Sequence, residues 1–259
     1  MTPRPLAPVC CLALLLLAPL VASADTPQPP DEVIKSIDKR LSFTSDYKST
    51  IRIRELRKDG AEGWALEMLV YRRDQSRDLL FLQTRPKHMA GNGYLRIQNN
   101  LWEYTPSVGL WSRTTARANI AGTFTCESDF DRSRLSEDYT AQDDGTETVS
   151  GTAYRKLLLT ARPGAEVPFP LLRLWLGPDN NIARRIGYAP SGKLLRIDTI
   201  RAYQRIKDPL TGEFVLHYKE VIEEEAESGS RISVRYDEVQ LAPLEANIFT
   251  KAWLEARMR

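Results

Sequence analysis

The sequence predicts a mainly β protein: one antiparallel sheet, strongly curved or nearly closed, with short capping helices. Two observations carry this prediction. About ten short segments have strand-like composition, and turn-forming residues separate nearly every pair of them. Helical spacing of apolar residues, by contrast, occurs only near the two ends of the region that follows the leader.

Residues 1–24 have the pattern of a cleavable secretory signal peptide. Arg4 precedes an apolar run from Val9 to Val21, and the small residues at 22–24 then form a cleavage site. The apolar run is shorter than the roughly 20 residues that span a bilayer, so an uncleaved anchor is the weaker alternative. We therefore expect export of the mature chain to the periplasm.

Charge and cysteine content narrow the class further. The chain has 36 basic and 34 acidic side chains, a balance that indicates neither nucleic acid nor an anionic surface as an obligate partner. Cys10 and Cys11 precede the apolar run and so do not fit a lipoprotein signal, and they leave with the leader. Cys126 then has no partner for an internal disulfide. Stability must come from a buried core.

The mature chain is expected to begin with a flexible lead-in over residues 25–30, followed by one domain over residues 31–259. Asp31 lies where a helix N-cap is expected, and apolar residues from Val33 to Leu41 follow at helical spacing. The period then changes to two. The predicted strands are Ser49 to Ile53, Trp64 to Tyr71, Leu79 to Leu82, Tyr94 to Ile97, Leu101 to Tyr104, Tyr154 to Thr160, Leu171 to Leu176, Ala183 to Tyr188, Leu194 to Ile200, Phe214 to Glu223 and Ile232 to Val239.

The stretch from Thr114 to Gly145 is polar and lacks sustained alternation. It predicts short helical turns or a mobile loop that covers one mouth of the sheet. A second short amphipathic helix is expected from Ile248 to Leu254. The stretch is also acidic, and a set of its carboxylates could bind a cation weakly: Asp129, Asp131, Glu137, Asp143 and Asp144.

The residue types of the sequence give little support for a catalytic site. The two histidines are His88, in a turn, and His217, in a strand, and each is interpreted as a solvent-facing or packed side chain. The sequence has no G-x-S-x-G elbow and no H-E-x-x-H pair, and its Cys and His residues are not clustered as zinc ligands are. We predict no catalytic residues, no metal site and no cofactor.

Several predicted strands are apolar on both faces, notably Leu79 to Leu82, Leu157 to Leu159 and Leu171 to Leu176. A single sheet cannot hide so much apolar surface without a second layer or an enclosed cavity. A filled core and a cavity for acyl chains both satisfy this pattern, and burial of each methylene of such a chain contributes about 0.8 kcal/mol. The candidate cavity-lining residues are Ile51, Ile53, Trp64, Leu66, Met68, Val70, Leu80, Leu82, Trp102, Leu158, Leu172 and Leu174.

Several segments between about Tyr71 and Leu254 resemble the outer-membrane lipoprotein-sorting protein family, the relatives of the periplasmic carrier LolA. These segments are Gly91–Leu95, Asn100–Pro106, Gly122–Phe124, Glu166–Phe169, Leu174–Leu176 and Asn247–Leu254.

The resemblance implies an open antiparallel β-barrel of the LolA-like type, capped by helices, whose apolar cavity holds acyl chains of lipoproteins or other lipids. It also implies a monomer that receives cargo from an inner-membrane transporter and passes it to an outer-membrane acceptor. Arg73 matches the carrier's cargo-release arginine, although Asp74 stands where the carrier has proline. The alternative is a periplasmic lipid-sensing or adaptor protein that contacts a membrane protein through rim aromatics such as Trp111 or Trp253.

Overall fold

The computed structural model describes residues 28–97, 100–114 and 119–257. The predicted leader and residues 25–27 of the lead-in lie outside the described residues. Within the described ranges, no helix has both the length and the apolar character needed to cross a bilayer.

Thirteen strands of the described residues form one antiparallel sheet, which confirms the predicted fold class. Its spatial order is β6-β5-β4-β3-β2-β1-β13-β12-β11-β10-β9-β8-β7. The strands are β1 Tyr47–Leu56, β2 Glu62–Arg73, β3 Asp78–Arg85, β4 Gly93–Ile97, β5 Asn100–Thr105, β6 Leu110–Thr114, β7 Tyr139–Val149, β8 Thr152–Ala161, β9 Leu171–Leu176, β10 Ile182–Tyr188, β11 Leu194–Lys207, β12 Phe214–Glu225 and β13 Arg231–Leu241.

The sheet is open because its two edge strands, β6 and β7, do not pair with each other. Neither edge strand was predicted from the sequence, whereas every predicted strand overlaps an observed one. The reason is physical: edge strands are more exposed and carry little apolar alternation. A register shift in β7 between Asp143 and Thr146 further interrupts its ladder with β8, as expected for an edge protected against further pairing.

The order of the strands forces the chain across one face of the sheet. β6 ends at Thr114 on one edge, and β7 begins at Tyr139 on the opposite edge. The described residues 119–138, here called the crossover segment, contain two short 3-10 turns and the helix α2, Leu135–Asp138. The crossover segment therefore lies over the sheet and does not merely cover its mouth.

The sheet curves around the crossover segment. Arg96 on β4 and Arg196 on β11 lie six strands apart, which is about 29 Å in a flat sheet. Both nevertheless contact side chains of residues 127–131. We call the face that carries these contacts the inner face. It includes the buried residues Ile51 and Ile53 of β1.

Helix α1, Pro30–Leu41, covers the inner face over the half of the sheet that contains β8 and β9. Its buried side chains Val33, Ile34 and Ile37 pack in one apolar cluster with strand residues such as Leu157 and Leu174. The predicted N-cap was wrong: Pro29 is the N-cap and Pro30 opens the helix, a position that suits proline because its missing N–H would be unpaired there. Asp31 instead accepts a hydrogen bond from the backbone N of Ala141 at 2.8 Å.

The outer face of β2 to β6 is covered by the C-terminal residues, which end in α3, Lys251–Ala256. Leu80 and Leu82 of β3 pack there against Phe249 and Leu254, whereas their neighbours Leu79 and Phe81 belong to the inner cluster. The doubly apolar character of β3 thus reflects a second layer on its outer side.

Truncation of Leu254 tests this outer layer. The side chain is fully buried, and its Cδ1 atom lies so close to Gly93 that a Cβ there would meet it at 2.5 Å. Leu254→Ala should lower the free energy of unfolding by about 2–5 kcal/mol because it leaves a cavity. Denaturant unfolding checks this. Leu110→Ala removes the same atoms from a side chain that is 66% exposed and should change stability by less than about 0.5 kcal/mol. Equal losses in both variants would contradict the assignment.

Candidate functional site

The inner face and its cover form the candidate functional site. The predicted cavity-lining residues that lie in the inner-face clusters are Ile51, Ile53, Leu66, Met68, Val70, Leu172 and Leu174. They follow the two-residue period of β1, β2 and β9, which brings them together across neighbouring strands.

The remaining predicted lining residues lie outside the inner-face clusters. Leu80 and Leu82 belong to the outer layer. Trp102 pairs with Leu95 of that layer, and its ring lies 3.6 Å from Lys251 Nζ. Trp64 is 42% exposed near the start of β2. Leu158 is half-buried and alternates with the inward-facing Leu157 and Leu159.

The crossover segment fills part of the space inside the sheet. Ile120 and Phe130 belong to the inner apolar cluster, and the Phe130 ring lies edge-on to Phe81 at 5.2 Å between centroids. A more open pocket of about 650 Å³ lies beside Leu66, Arg85 and Lys87. The cavity between α1, the crossover segment and β12 has a volume of about 140 Å³. Pockets for drug-sized ligands are larger, roughly 300–1,000 Å³. The inner face beside α1 is therefore largely covered and filled.

One wall of this cavity is apolar and the other is polar. The apolar wall contains Leu41, Phe169 and Leu172, and the polar wall contains Arg72 and Arg185. The strand arginines Arg72, Arg96, Arg185 and Arg196 all contact the crossover segment.

Asp129 is the central partner of two of these arginines. Arg196 donates two hydrogen bonds to its carboxylate, from Nη2 at 2.5 Å and from Nη1 at 2.8 Å, and Arg185 Nη2 donates a third at 2.9 Å. Asp198 on β11 also contacts both guanidinium groups. The bidentate geometry is the strong form of an arginine–carboxylate pair.

Arg96 and Arg72 hold the crossover segment on the other side of Asp129. Arg96 donates to both carboxylate oxygens of Asp131, at 2.8 and 3.1 Å, and it also pairs with Glu127. Arg72 Nη1 donates to the backbone oxygen of Phe130 at 2.8 Å. The short run 127–131 is thus bound to strands β2, β4, β10 and β11, and each of these buried charges has a partner, as burial requires.

The pKa values of these carboxyl groups diverge. Burial would raise the pKa of Asp129, but the charges and hydrogen bonds of Arg196 and the charge of Arg185 hold it below its ordinary value. Burial raises the pKa of Glu127 to about 7, although Arg96 opposes the shift. Burial likewise raises the pKa of Glu223 on β12 to about 8 against the charge of Arg196. Both glutamates therefore titrate near neutral pH.

Asp38 on α1 joins the two parts of the cover. Its carboxylate accepts hydrogen bonds from Ser133 Oγ at 2.6 Å, Leu135 N at 3.0 Å, and Ser136 N and Oγ at 2.7 Å each. The apolar face of α1 and the crossover segment are thereby linked through one buried carboxylate. Asp38 was not among the predicted site residues.

Arg73, the predicted cargo-release residue, does not face the inner side. Its guanidinium binds both carboxylate oxygens of Asp46, at 3.0 and 2.8 Å, and the backbone oxygen of Leu244 at 2.9 Å. Arg72 is the residue that contacts the crossover segment. The two-residue period of the strand predicts that Arg72 faces inward, because Arg72 follows the inward-facing residues Met68 and Val70 at the same spacing.

The acidic residues that were expected to bind a cation bind guanidinium groups of the chain. Besides Asp129 and Asp131, Glu137 pairs with Arg132, Asp143 with Arg155 and Asp144 with Arg173. The residues that the structure describes contain no group of three or more Asp, Glu, His or Cys side chains arranged to hold a metal ion.

His217 and Cys126 are buried without a catalytic arrangement. The His217 ring stacks on Tyr47 with 5.3 Å between centroids, and its Nδ1 hydrogen-bonds the Tyr218 carbonyl at 2.7 Å. Burial lowers the pKa of His217 to about 4 and raises that of Cys126 to about 11. The imidazole is therefore neutral and the thiol protonated at neutral pH, which disfavours thiolate chemistry.

Removal of the Asp129 charge should destabilise the closed structure strongly. Asp129→Asn takes away the carboxylate that Arg185 and Arg196 share, and breaking a buried pair costs about 3–5 kcal/mol. Chemical denaturation checks this. Asp143→Asn is the control, because Asp143 is 48% exposed in its pair with Arg155 and such a pair contributes about 0–1 kcal/mol. A similar loss for both variants would refute the central role of Asp129.

The raised pKa values predict a pH dependence. The folded chain holds protons on Glu127 up to a pKa of about 7 and on Glu223 up to about 8, whereas both have an ordinary value of 4.5. Because the folded state binds more protons in this window, the free energy of unfolding should fall as pH rises from 4.5 to about 8. Thermal unfolding at several pH values measures this. Glu127→Gln/Glu223→Gln should show a flatter profile, and an unchanged slope would contradict the assignment.

Comparison with solved structures identifies proteins of similar fold. A LolA superfamily protein from Nitrosomonas europaea superimposes with a TM-score of 0.71 at 23% identity, covering 87% of this chain and 99% of that one. A putative outer membrane lipoprotein-sorting protein domain from Vibrio parahaemolyticus gives 0.72 at 16% identity, covering 87% and 98%. A DUF1329 family protein from Desulfovibrio piger gives 0.72 at 17% identity, covering 88% and 100%.

Among curated protein sequences, none matches this chain. A family model described as "-like: Uncharacterized protein" matches residues 75–256, which is more than half of the 259 residues. The chain therefore belongs to this uncharacterized protein family, and its fold is the LolA-like fold.

Proposed function

We propose that the protein is a periplasmic carrier that binds acyl chains of lipoproteins or other lipids on its inner face and moves them toward the outer membrane. In this proposal residues 1–24 are the cleaved leader and residues 31–259 one domain. The protein acts as a monomer and without catalysis, between an inner-membrane transporter and an outer-membrane acceptor. The observation that carries it is an apolar inner face covered by a segment that no strand pairing holds.

The attachment of the crossover segment supports a cover that can move. Its only described β-bridge, Asn119 with Cys126, is internal to the segment. It meets the sheet through apolar side chains, through the arginine contacts of residues 127–131, and through hydrogen bonds from Thr125 Oγ1 to Glu223 and from Ala121 N to the Tyr94 hydroxyl. Every strand would keep its neighbours if the segment moved aside, so the ladder bonds of the sheet need not be broken to expose residues such as Met68 and Val70.

An acyl chain is the ligand that suits the exposed face. Displacement of Ile120 and Phe130 would uncover apolar surface on β1, β2 and β3, and each methylene that replaces them contributes about 0.8 kcal/mol. The Vibrio parahaemolyticus relative, described as a lipoprotein-sorting domain, supports the same ligand class. In this proposal Arg72, which binds the Phe130 carbonyl, takes the cargo-release role first assigned to Arg73.

The filled interior favours a second candidate, a lipid-sensing or adaptor protein. The cavity beside α1, about 140 Å³, has no room for a whole acyl chain, which suits a protein that works through its surface. The two candidates differ in whether the crossover segment leaves the inner face when lipid is present.

Lipid uptake separates the two candidates. Native mass spectrometry of the purified chain should show bound lipid, and a fluorescent fatty acid should bind with slow kinetics because the cover must open first. Asp38→Ala removes the link between α1 and the crossover segment, so uptake should become about tenfold faster or more, since a hydrogen bond to a charged group contributes about 1.5–3 kcal/mol.

The control variant is Glu32→Ala, which removes an exposed carboxylate from the same helix and should leave the uptake rate unchanged. Recovery of a lipid-free species that takes up no fatty acid, as wild type and as Asp38→Ala, would refute the carrier and favour the adaptor. Equal acceleration by both variants would mean that the Asp38 link does not hold the cover closed.

A further inference from the structure

The β11–β12 hairpin extends past the strands beside it. Its two strands pair as far as Lys207 with Phe214. On one side, β10 pairs with β11 only up to Thr199. On the other side, the pairing of β12 with β13 runs from Glu220 to Glu224. Residues 201–207 and 214–219 therefore form a two-stranded ribbon, whose tip is the turn at residues 208–213.

The ribbon tip carries two large apolar side chains in solvent. Leu210 is 63% exposed and Phe214 is 56% exposed. Scattered apolar side chains on a surface need no explanation, but a protruding turn that presents two of them together can enter an apolar phase without moving the rest of the fold.

The tip is held in place, so its apolar side chains are presented by a fixed turn. The buried carboxylate of Asp208 accepts hydrogen bonds from Ser45 Oγ at 2.6 Å and from Thr44 N at 3.2 Å, just before β1. It also accepts one from Leu210 N at 2.9 Å within the turn. Asp208 is thus occupied internally and adds little negative charge to the surface of the tip.

Cationic side chains lie on the same ribbon as the two apolar ones. The Arg205 guanidinium lies over the Phe214 ring at 4.7 Å from its centroid, and Lys207 and Arg201 are exposed on the same ribbon. Glu213 is the exposed carboxylate beside them. Apolar side chains next to cations are the combination that binds the headgroup region of an anionic bilayer.

We propose that the β11–β12 tip docks the protein on the surface of an anionic phospholipid bilayer, with Leu210 and Phe214 entering the interface and Arg205 and Lys207 contacting lipid phosphates. This contact does not depend on the proposed carrier function. Where that function holds, docking has a clear use, because Leu216 and Tyr218 of the same ribbon line the cavity beside α1. Lipid would then meet the cover at the membrane surface.

A second hairpin of the same sheet supplies a matched comparison. The β5–β6 turn exposes Val108 by 62% and Leu110 by 66%, yet no charged residue occurs between Thr105 and Ser112. If exposed apolar side chains alone sufficed, both hairpins would bind membranes equally. The proposal requires the β11–β12 tip to dominate.

Cosedimentation of the purified mature chain with vesicles tests the docking. Wild type should bind vesicles of phosphatidylethanolamine and phosphatidylglycerol more strongly than vesicles of phosphatidylcholine alone. Leu210→Ser/Phe214→Ser should weaken binding to the anionic vesicles by about tenfold or more, because the anchor loses most of its apolar area. Arg205→Gln/Lys207→Gln should remove the preference for anionic lipid and the sensitivity to salt.

Val108→Ser/Leu110→Ser is the control and should bind as wild type does. Thermal unfolding should confirm that all variants are folded, since the altered side chains are exposed. The proposal is overturned if wild type does not bind anionic vesicles, if both hairpin variants lose binding equally, or if the tip serves only to capture a protein partner. A wild-type chain that takes up fatty acid in solution but does not bind anionic vesicles would overturn the docking and leave the carrier function standing.

Discussion

The fold depends on the pairing of arginines on the inner face of the sheet with carboxylates of the crossover segment. The side chains of Arg72, Arg96 and Arg196 are at most 5% exposed, and a buried cation without a partner is very costly. Asp129 and Asp131 supply much of that compensation from a segment that the strand order already forces across the sheet. Topology thus brings the acidic run to the inner face, and the arginines fix its position there.

These pairs determine which closed arrangement forms more than they raise its free energy of unfolding. Desolvation of buried ions offsets much of their attraction, so the net contribution of such a pair is small, although the loss of one partner is expensive. Asp129 binds arginines of both β10 and β11, and this fixes the crossover segment in one position. A cover of this kind has one well-defined closed position, and the free energy that favours the closed position is not large.

The strands were predictable because their apolar alternation is local, and the edge strands were missed because they carry little of it. The interior could not be predicted in the same way. The partners of Asp129 lie 56 and 67 residues away in sequence, and no spacing rule links a carboxylate in an irregular segment to an arginine in a distant strand. The inward position of Arg72 could have been predicted, because Arg72 shares its face with Val70. The cargo-release role was instead assigned to its neighbour Arg73 from the resemblance alone.

The covalent connections of the cover limit how it can open. The crossover segment continues into β7 at Tyr139 and, through residues before 119, into β6, so it can leave the inner face only as a loop anchored at both edges of the sheet. Helix α1 adds the link through Asp38, and the ribbon of β12 closes the cavity from the opposite side with Tyr218. The strand ladders of the sheet do not depend on these contacts. The same strand order that makes the sheet an incomplete barrel also supplies the segment that closes it.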